Sequence, residues 1–182
     1  KVYVAETPAK IAFELEDLTA NIKNIIPLLT LSKFGDKPSK VRFFEGEDTV
    51  NKIHKDILLT TSFEDGKKEL LAFSSGQDIY EAEPEGVEWF IKQRVKNDLF
   101  LRWIAPEDEF TKKRFIITSK DELREVKFFN KKKYPFNIQI NIYANCVALI
   151  NLKGNMSGAI IENQAIADSF RALFNLLWDS LK

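Results

Sequence analysis

The sequence predicts an α/β fold, a single α/β sandwich unit preceded by a long N-terminal helix. Three features predict it. Apolar, β-rich runs alternate with helix-period segments between Lys40 and Phe129, the pattern of strands packed against helices. The tail from Ile138 reads as two strands in a hairpin, a third strand ending in Glu162 and Asn163, and a closing amphipathic helix that reaches Trp178. Ahead of both, apolar residues recur at heptad spacing.

Taken in order, Thr7 and Pro8 make a helix start, with Thr as N-cap and Pro in the first turn, where its missing N–H costs nothing. From there Ile11, Leu15, Leu18, Ile22, Ile25 and Leu29 recur at alternating spacings of four and three. A stripe this narrow suits a partner helix better than the broad face of a domain core, so residues 1–35 are expected to form a linker and dimerisation helix. Pro27 breaks its backbone ladder and predicts a kink near its end. Asp36 to Ser39 reads as the linker into a second domain, residues 36–182.

In that domain Lys40–Glu45 is a short strand, and Gly46 to Leu59 has helical period through Val50, Ile53, Ile57 and Leu58. Glu64–Lys67 is a turn before the strand Leu70–Ser74. Pro84–Lys96 is a helix with apolar Val87, Phe90, Ile91 and Val95. Strand Phe100–Ile104, a polar stretch around Pro106–Asp108 and strand Leu123–Phe129 follow, before the more antiparallel tail.

Composition narrows the function classes. The 27 basic residues balance 27 acidic ones, so this chain alone lacks the electrostatic footprint of a nucleic-acid binder. A hydrophobic fraction of 45% that includes 15 Phe speaks for a filled core and against disorder. Cys146, the sole cysteine, has no internal partner for a disulfide, which suits a reducing, cytoplasmic setting. No apolar run reaches the ~18–20 residues that span a bilayer. The chain lacks an initiator Met, as expected of a segment lying inside a larger protein.

Chemistry-bearing residues are few. His54 is the sole histidine, which removes most nucleophilic and metal-ligand schemes, and its charged neighbours predict a surface or half-buried position. No metal and no cofactor are expected. Cys146 has no basic neighbour to activate it and reads as a structural thiol. Glu45, Glu47 and Asp48 surround Gly46 where a strand runs into a helix. They read either as carboxylates favoured by a helix N-terminus or as ligand contacts at a strand end, suited to sugar hydroxyls and repelled by phosphate. Lys131–Lys133 reads as a solvated loop, and Gly154–Gly158 lacks the spacing of a phosphate-binding fingerprint.

The order of elements in the tail, ending in Phe174 and Trp178, resembles the second half of a phospholipase D repeat. That resemblance implies a catalytic His-x-Lys-x4-Asp on the first hairpin strand. Aligning Val147–Ile150 with the apolar strand that follows the Asp puts Asn137, Gln139 and Ala144 at those positions. Sliding the frame by one gives Ile138, Ile140 and Asn145. Neither set contains a nucleophilic imidazole or a phosphate clamp, so the resemblance is one of fold without its chemistry.

Across its length the chain also resembles the part of TrmB-type transcriptional regulators that follows their winged helix-turn-helix. Val2–Pro8 resembles the exit from the wing, and Lys37–Gly46 the opening of the sensor domain. Leu123–Phe128, Ile140–Tyr143, and Ile160–Asn163 with the closing helix resemble its tail. The resemblance implies a regulator whose phospholipase D-like domain responds to an effector, a sugar in characterised members, and which dimerises through the linker helix. The helix that reads DNA is absent, so DNA contact would belong to a missing N-terminal domain.

The expectation is therefore a non-catalytic effector-sensing and dimerisation domain, cytoplasmic, homodimeric and without membrane contact. A small polar effector such as a sugar is expected in the old active-site groove. The candidates are Glu45, Arg102, Asn137, Gln139, Tyr143, Glu162 and Asn163, with amides and carboxylates for hydroxyls, Tyr143 for stacking and Arg102 for an acidic group. A divergent hydrolase using the same groove, and a dimerisation module without a ligand, remain open alternatives.

Overall fold

A computed structural model describes residues 39–63 and 68–181. The heptad positions from Ile11 to Leu29 and the turn at Glu64–Lys67 lie outside the described residues. Strands are β1 (Lys40–Glu45), β2 (Glu69–Phe73), β3 (Phe100–Pro106), β4 (Arg124–Phe129), β5 (Ile138–Tyr143), β6 (Cys146–Asn151) and β7 (Ser157–Glu162). Helices are α1 (Thr49–Ser62), α2 (Gly76–Ala82), α3 (Pro84–Lys96), the short α4 (Glu109–Thr111) running into a π-helical turn at Lys112–Ile116, and α5 (Gln164–Ser180). The α/β expectation holds.

The strands form a seven-stranded sheet in the order β1-β7-β6-β5-β2-β3-β4. Strands β2, β3 and β4 run parallel, an arrangement that needs the helical crossovers found between them. From β2 outward through β5, β6, β7 and β1 every pairing is antiparallel. The division follows the sequence, since tight turns join the tail strands and helical crossovers join the others.

Strand alternation sorts the side chains onto two faces. Leu70, Trp103, Tyr143, Cys146, Ala148 and Ile160 face α1, α3 and the π-turn, where they pack with Ile53, Ile57, Phe90 and Phe115. Leu71, Ile104, Ile142 and Val147 point the other way and are covered by Ala167, Phe174 and Trp178 of α5. The helix α5 thus buries one stripe while Leu173 and Leu176 stay exposed.

Local chemistry fixes the helix ends. Ser75 caps α2 by accepting from Asp78 N at 3.2 Å, and Pro84 opens α3 where its missing N–H is harmless. Asn163 caps α5, its Oδ1 accepting from Ile166 N at 2.9 Å. Gly46, at φ +89°, makes the left-handed turn that swings β1 into α1. A Cβ at Gly158 would stand 2.8 Å from Ile53 Cδ1, so this glycine lets α1 approach β7 closely. No helix among the described residues is long and apolar enough to cross a membrane.

One reading needs correction. His54 is 2% exposed, neither on the surface nor half-buried, because it falls on the inward stripe of α1 with Val50, Ile53 and Ile57. The segments Gly76–Ala82 and Glu109–Ile116, to which the sequence assigned no element, are helical.

Candidate functional site

The structure distributes the sequence-derived candidates over separate places. Glu45 ends β1 beside an open recess formed with Gly46, Glu47 and Gly154 to Ser157. Asn137 precedes β5 at the same end of the sheet and is exposed, while Gln139 turns inward and is buried. Tyr143 and Glu162 lie at the opposite end, where the register runs Tyr143, Cys146, Glu162 across β5, β6 and β7. Arg102 projects from the other face, toward α5.

Most of these side chains are already engaged. Arg102 donates to both carboxylate oxygens of Glu69 at 3.0 Å and to Asn175 Oδ1 at 3.0 Å, with its guanidinium over the Phe174 and Trp178 rings. Tyr143 is fully buried and donates its hydroxyl to Asp56 Oδ2 at 2.8 Å, while Asp56 pairs with Arg42 at 2.6 Å. Burial, followed by the neighbouring Asp56 charge, raises the Tyr143 phenol well above its ordinary value. Besides capping α5, Asn163 donates to Ser39 Oγ at 2.7 Å. Cys146 is buried, and that burial pushes its thiol up to about 11, which suits an inert role.

Gln139 leads to a different site. It lines a cavity of about 60 Å³ under α1 and α3, whose wall also includes His54, Phe90, Arg94, Trp103 and Arg124. Gln139 Nε2 donates to Asn141 Oδ1 at 3.2 Å, and both residues are almost fully buried. Their remaining groups, Gln139 Oε1 and Asn141 Nδ2, have no partner among the described residues, nor does His54 Nδ1. Unpaired buried polar atoms each cost on the order of 1–3 kcal/mol, and here they gather at one void.

The cavity is electrostatically lopsided. His54 stacks on Phe90 at 4.0 Å, and burial pushes its imidazole down to about 3, so the ring is neutral at ordinary pH. Arg94 donates to Leu99 O at 2.7 Å, Leu123 O at 2.9 Å and Glu122 O, all neutral acceptors. Arg124 pairs with Glu122 through Nη2, leaving Nε without a partner. Burial lowers Arg94 to about 10 and Arg124 to about 9, the latter helped by the charges of Arg94 and Arg114, and both stay protonated near neutral pH. Among the described residues no group of three or more His, Cys, Asp or Glu side chains is placed to hold a metal ion.

No known protein-family signature matches the sequence, and no curated protein sequence matches it. Solved structures do. This chain is similar in fold to TrmBL2, an archaeal chromatin protein described as showing a novel mode of DNA binding. The match has a TM-score of 0.54 at 15% identity and covers 96% of this chain and 65% of TrmBL2. The chain is also similar to NucT from Helicobacter pylori, with a TM-score of 0.51 at 12% identity over 79% of this chain and 98% of that one. A phospholipase D family member, Nuc from Salmonella typhimurium, matches at TM-score 0.48 and 14% identity over 80% of this chain and 97% of that one. At such identities the likeness to TrmBL2 and NucT is one of fold alone. It agrees with the fold part of the resemblance read from the opening strand and the tail.

Reading by sequence missed Asn141, His54, Arg94 and Arg124 as cavity residues. Strand alternation carried a signal for Asn141, two positions beyond Gln139 and therefore on the same face. The arginines carried none, since surface and buried arginines look alike in sequence.

Proposed function

We propose that this chain is a non-catalytic, effector-sensing and dimer-forming module of a DNA-associated regulator of the TrmB type, with DNA contact made by a separate N-terminal domain. The fold likeness to TrmBL2 over 96% of this chain supports the direction of the reading. The observation that carries it is the pair of buried amides, Gln139 and Asn141, on β5. The phospholipase D resemblance puts Gln139 at the Lys position, and Asn137, just before this strand, at the His position. Two-step phosphodiester cleavage needs a nucleophilic imidazole and a cationic clamp, and amides supply neither. His54 sits on α1, wholly enclosed and stacked on Phe90. In this reading the protein is cytoplasmic, pairs through Ile11, Leu15, Leu18, Ile22, Ile25 and Leu29, and changes the relation of its paired DNA-binding heads when an effector binds.

The test has two arms. Formaldehyde crosslinking of the native protein in its own cells should recover DNA well above a control protein of equal abundance. Recovery at the control level sinks the regulator reading. Purified protein should leave a chromogenic phosphodiester intact, and turnover that survives extensive purification and disappears in His54→Ala would establish a hydrolase instead.

A further inference from the structure

The cavity under α1 and α3 has three properties that together define what it can hold. The first is size. At about 60 Å³ it has room for a few water-sized groups, each needing ~10–15 Å³, and is far below the ~300–1,000 Å³ of pockets that take drug-sized ligands. A sugar does not fit; a molecule of a few heavy atoms does.

The second property is charge. Arg94 and Arg124 line the cavity, and among the described residues no Asp or Glu does. The nearby carboxylates are spoken for: Glu122 pairs with Arg124 and also reaches Arg114 at 3.4 Å, while Glu88 holds Arg114 at 2.5 Å. Among the described residues the partners of Arg94 are neutral carbonyls. A buried guanidinium without a carboxylate of its own favours an anionic guest. The third property is the mixture of surfaces. Asn141 Nδ2, Arg124 Nε and His54 Nδ1 stand unpartnered, and Leu70, Phe90, Trp103 and Phe115 supply apolar and aromatic walls.

We propose that this cavity binds a small organic monocarboxylate, of acetate or propionate size, as the effector of the domain. The carboxylate is drawn by the guanidinium charge and accepts hydrogen bonds from Asn141 Nδ2 and Arg124 Nε. The short apolar body lies against the aromatic wall. Gln139 Oε1 remains free to accept from a protonated or hydroxylated guest, which lets the site prefer a hydroxy acid over a plain one. The proposal deepens the effector reading above and rests on it, replacing a sugar by a much smaller acid.

The decisive measurement is nuclear magnetic resonance on the native chain labelled with nitrogen-15, titrated with sodium acetate and propionate. Sodium chloride at equal ionic strength and acetamide, the neutral isostere, serve as controls. Saturable shifts of the Trp103 indole N–H and of the Asn141 side-chain amide are expected with the carboxylates. Acetamide should bind at least about tenfold more weakly, since it lacks the charge. Asn141→Leu, nearly isosteric, should weaken acetate by a similar factor while the backbone spectrum shows an intact fold. The comparison of acetate with acetamide needs no variant, so it stands even if Asn141→Leu does not fold. Equal binding of acetamide, shifts confined to Lys131–Lys133, or no saturable shift with any probe each overturns the proposal. Binding is read without DNA, so its failure leaves the crosslinking result untouched, and loss of DNA association leaves the cavity site untouched.

Discussion

At the scale of single residues, His54 couples the core to pH. Its imidazole is lowered to about 3 in the folded chain by burial, against 6.5 when free, so the unfolded chain binds the proton more tightly. The stability this neutral ring permits is fully present above pH 6.5 and is lost progressively as pH falls toward 3. One proton per molecule amounts to about 1.4 kcal/mol per pH unit, hence about 2 kcal/mol between pH 6.5 and about 5. Urea unfolding at those pH values should show the loss in the native chain, and His54→Phe, which keeps the stack on Phe90, should remove that part of it. An unchanged pH slope in the variant would mean the imidazole is not held neutral. The charged neighbours Lys52, Lys55 and Asp56 made His54 look like a surface residue, whereas its place on the inward stripe decides the matter. Arg102 shows the opposite ambiguity: a strand arginine suggests an anion clamp, and only the structure brings Glu69, from a strand far away in sequence, alongside it.

Among elements, α1 comes close to β7 over Gly158. Gly158→Ala brings a methyl to 2.8 Å from Ile53 Cδ1 and 3.0 Å from Thr49 Cγ2, and overpacking of this kind costs about 1–3 kcal/mol. Chemical denaturation should find that loss. Ile53→Val, which removes the obstructing methyl, should recover part of it in the double variant, giving a coupling energy that independent sites lack. Additive costs would place the strain elsewhere, at the Leu149 carbonyl 3.1 Å away. The strands were legible because β-rich runs and turn residues bound them: Lys40–Glu45 and Ile138–Tyr143 fall on such runs, and Pro84–Lys96 follows from its N1 proline. Helix α2 was not legible, because seven residues opening on glycine hold too little periodicity, and its definition comes from the Ser75 cap and from packing. The cavity was less legible still. It is a property of how α1, α3 and the sheet meet, and no spacing within one element encodes a void.

For the whole molecule, the heptad series predicts association. Solution mass by light scattering should be that of a dimer, and Leu18→Glu combined with Ile22→Glu should give a monomer, because charges at seam positions lack any counterpart in an apolar stripe. A monomeric native chain, or a dimer indifferent to both substitutions, would remove the N-terminal helix from the account. The order of the sheet carries a consequence of another kind. Lys40 finds its partner at Glu162, and Glu45 at Ser157, so among the described residues the strand that comes first in the chain pairs with the strand that comes last. On the ribosome Lys40–Glu45 emerges while its partner is still unmade. The segment must wait, its backbone groups unpaired, until nearly all of the domain has been translated. Folding of this domain is thus set by completion of its tail, and shortening the chain before β7 should leave the nascent protein dependent on chaperones for as long as it persists.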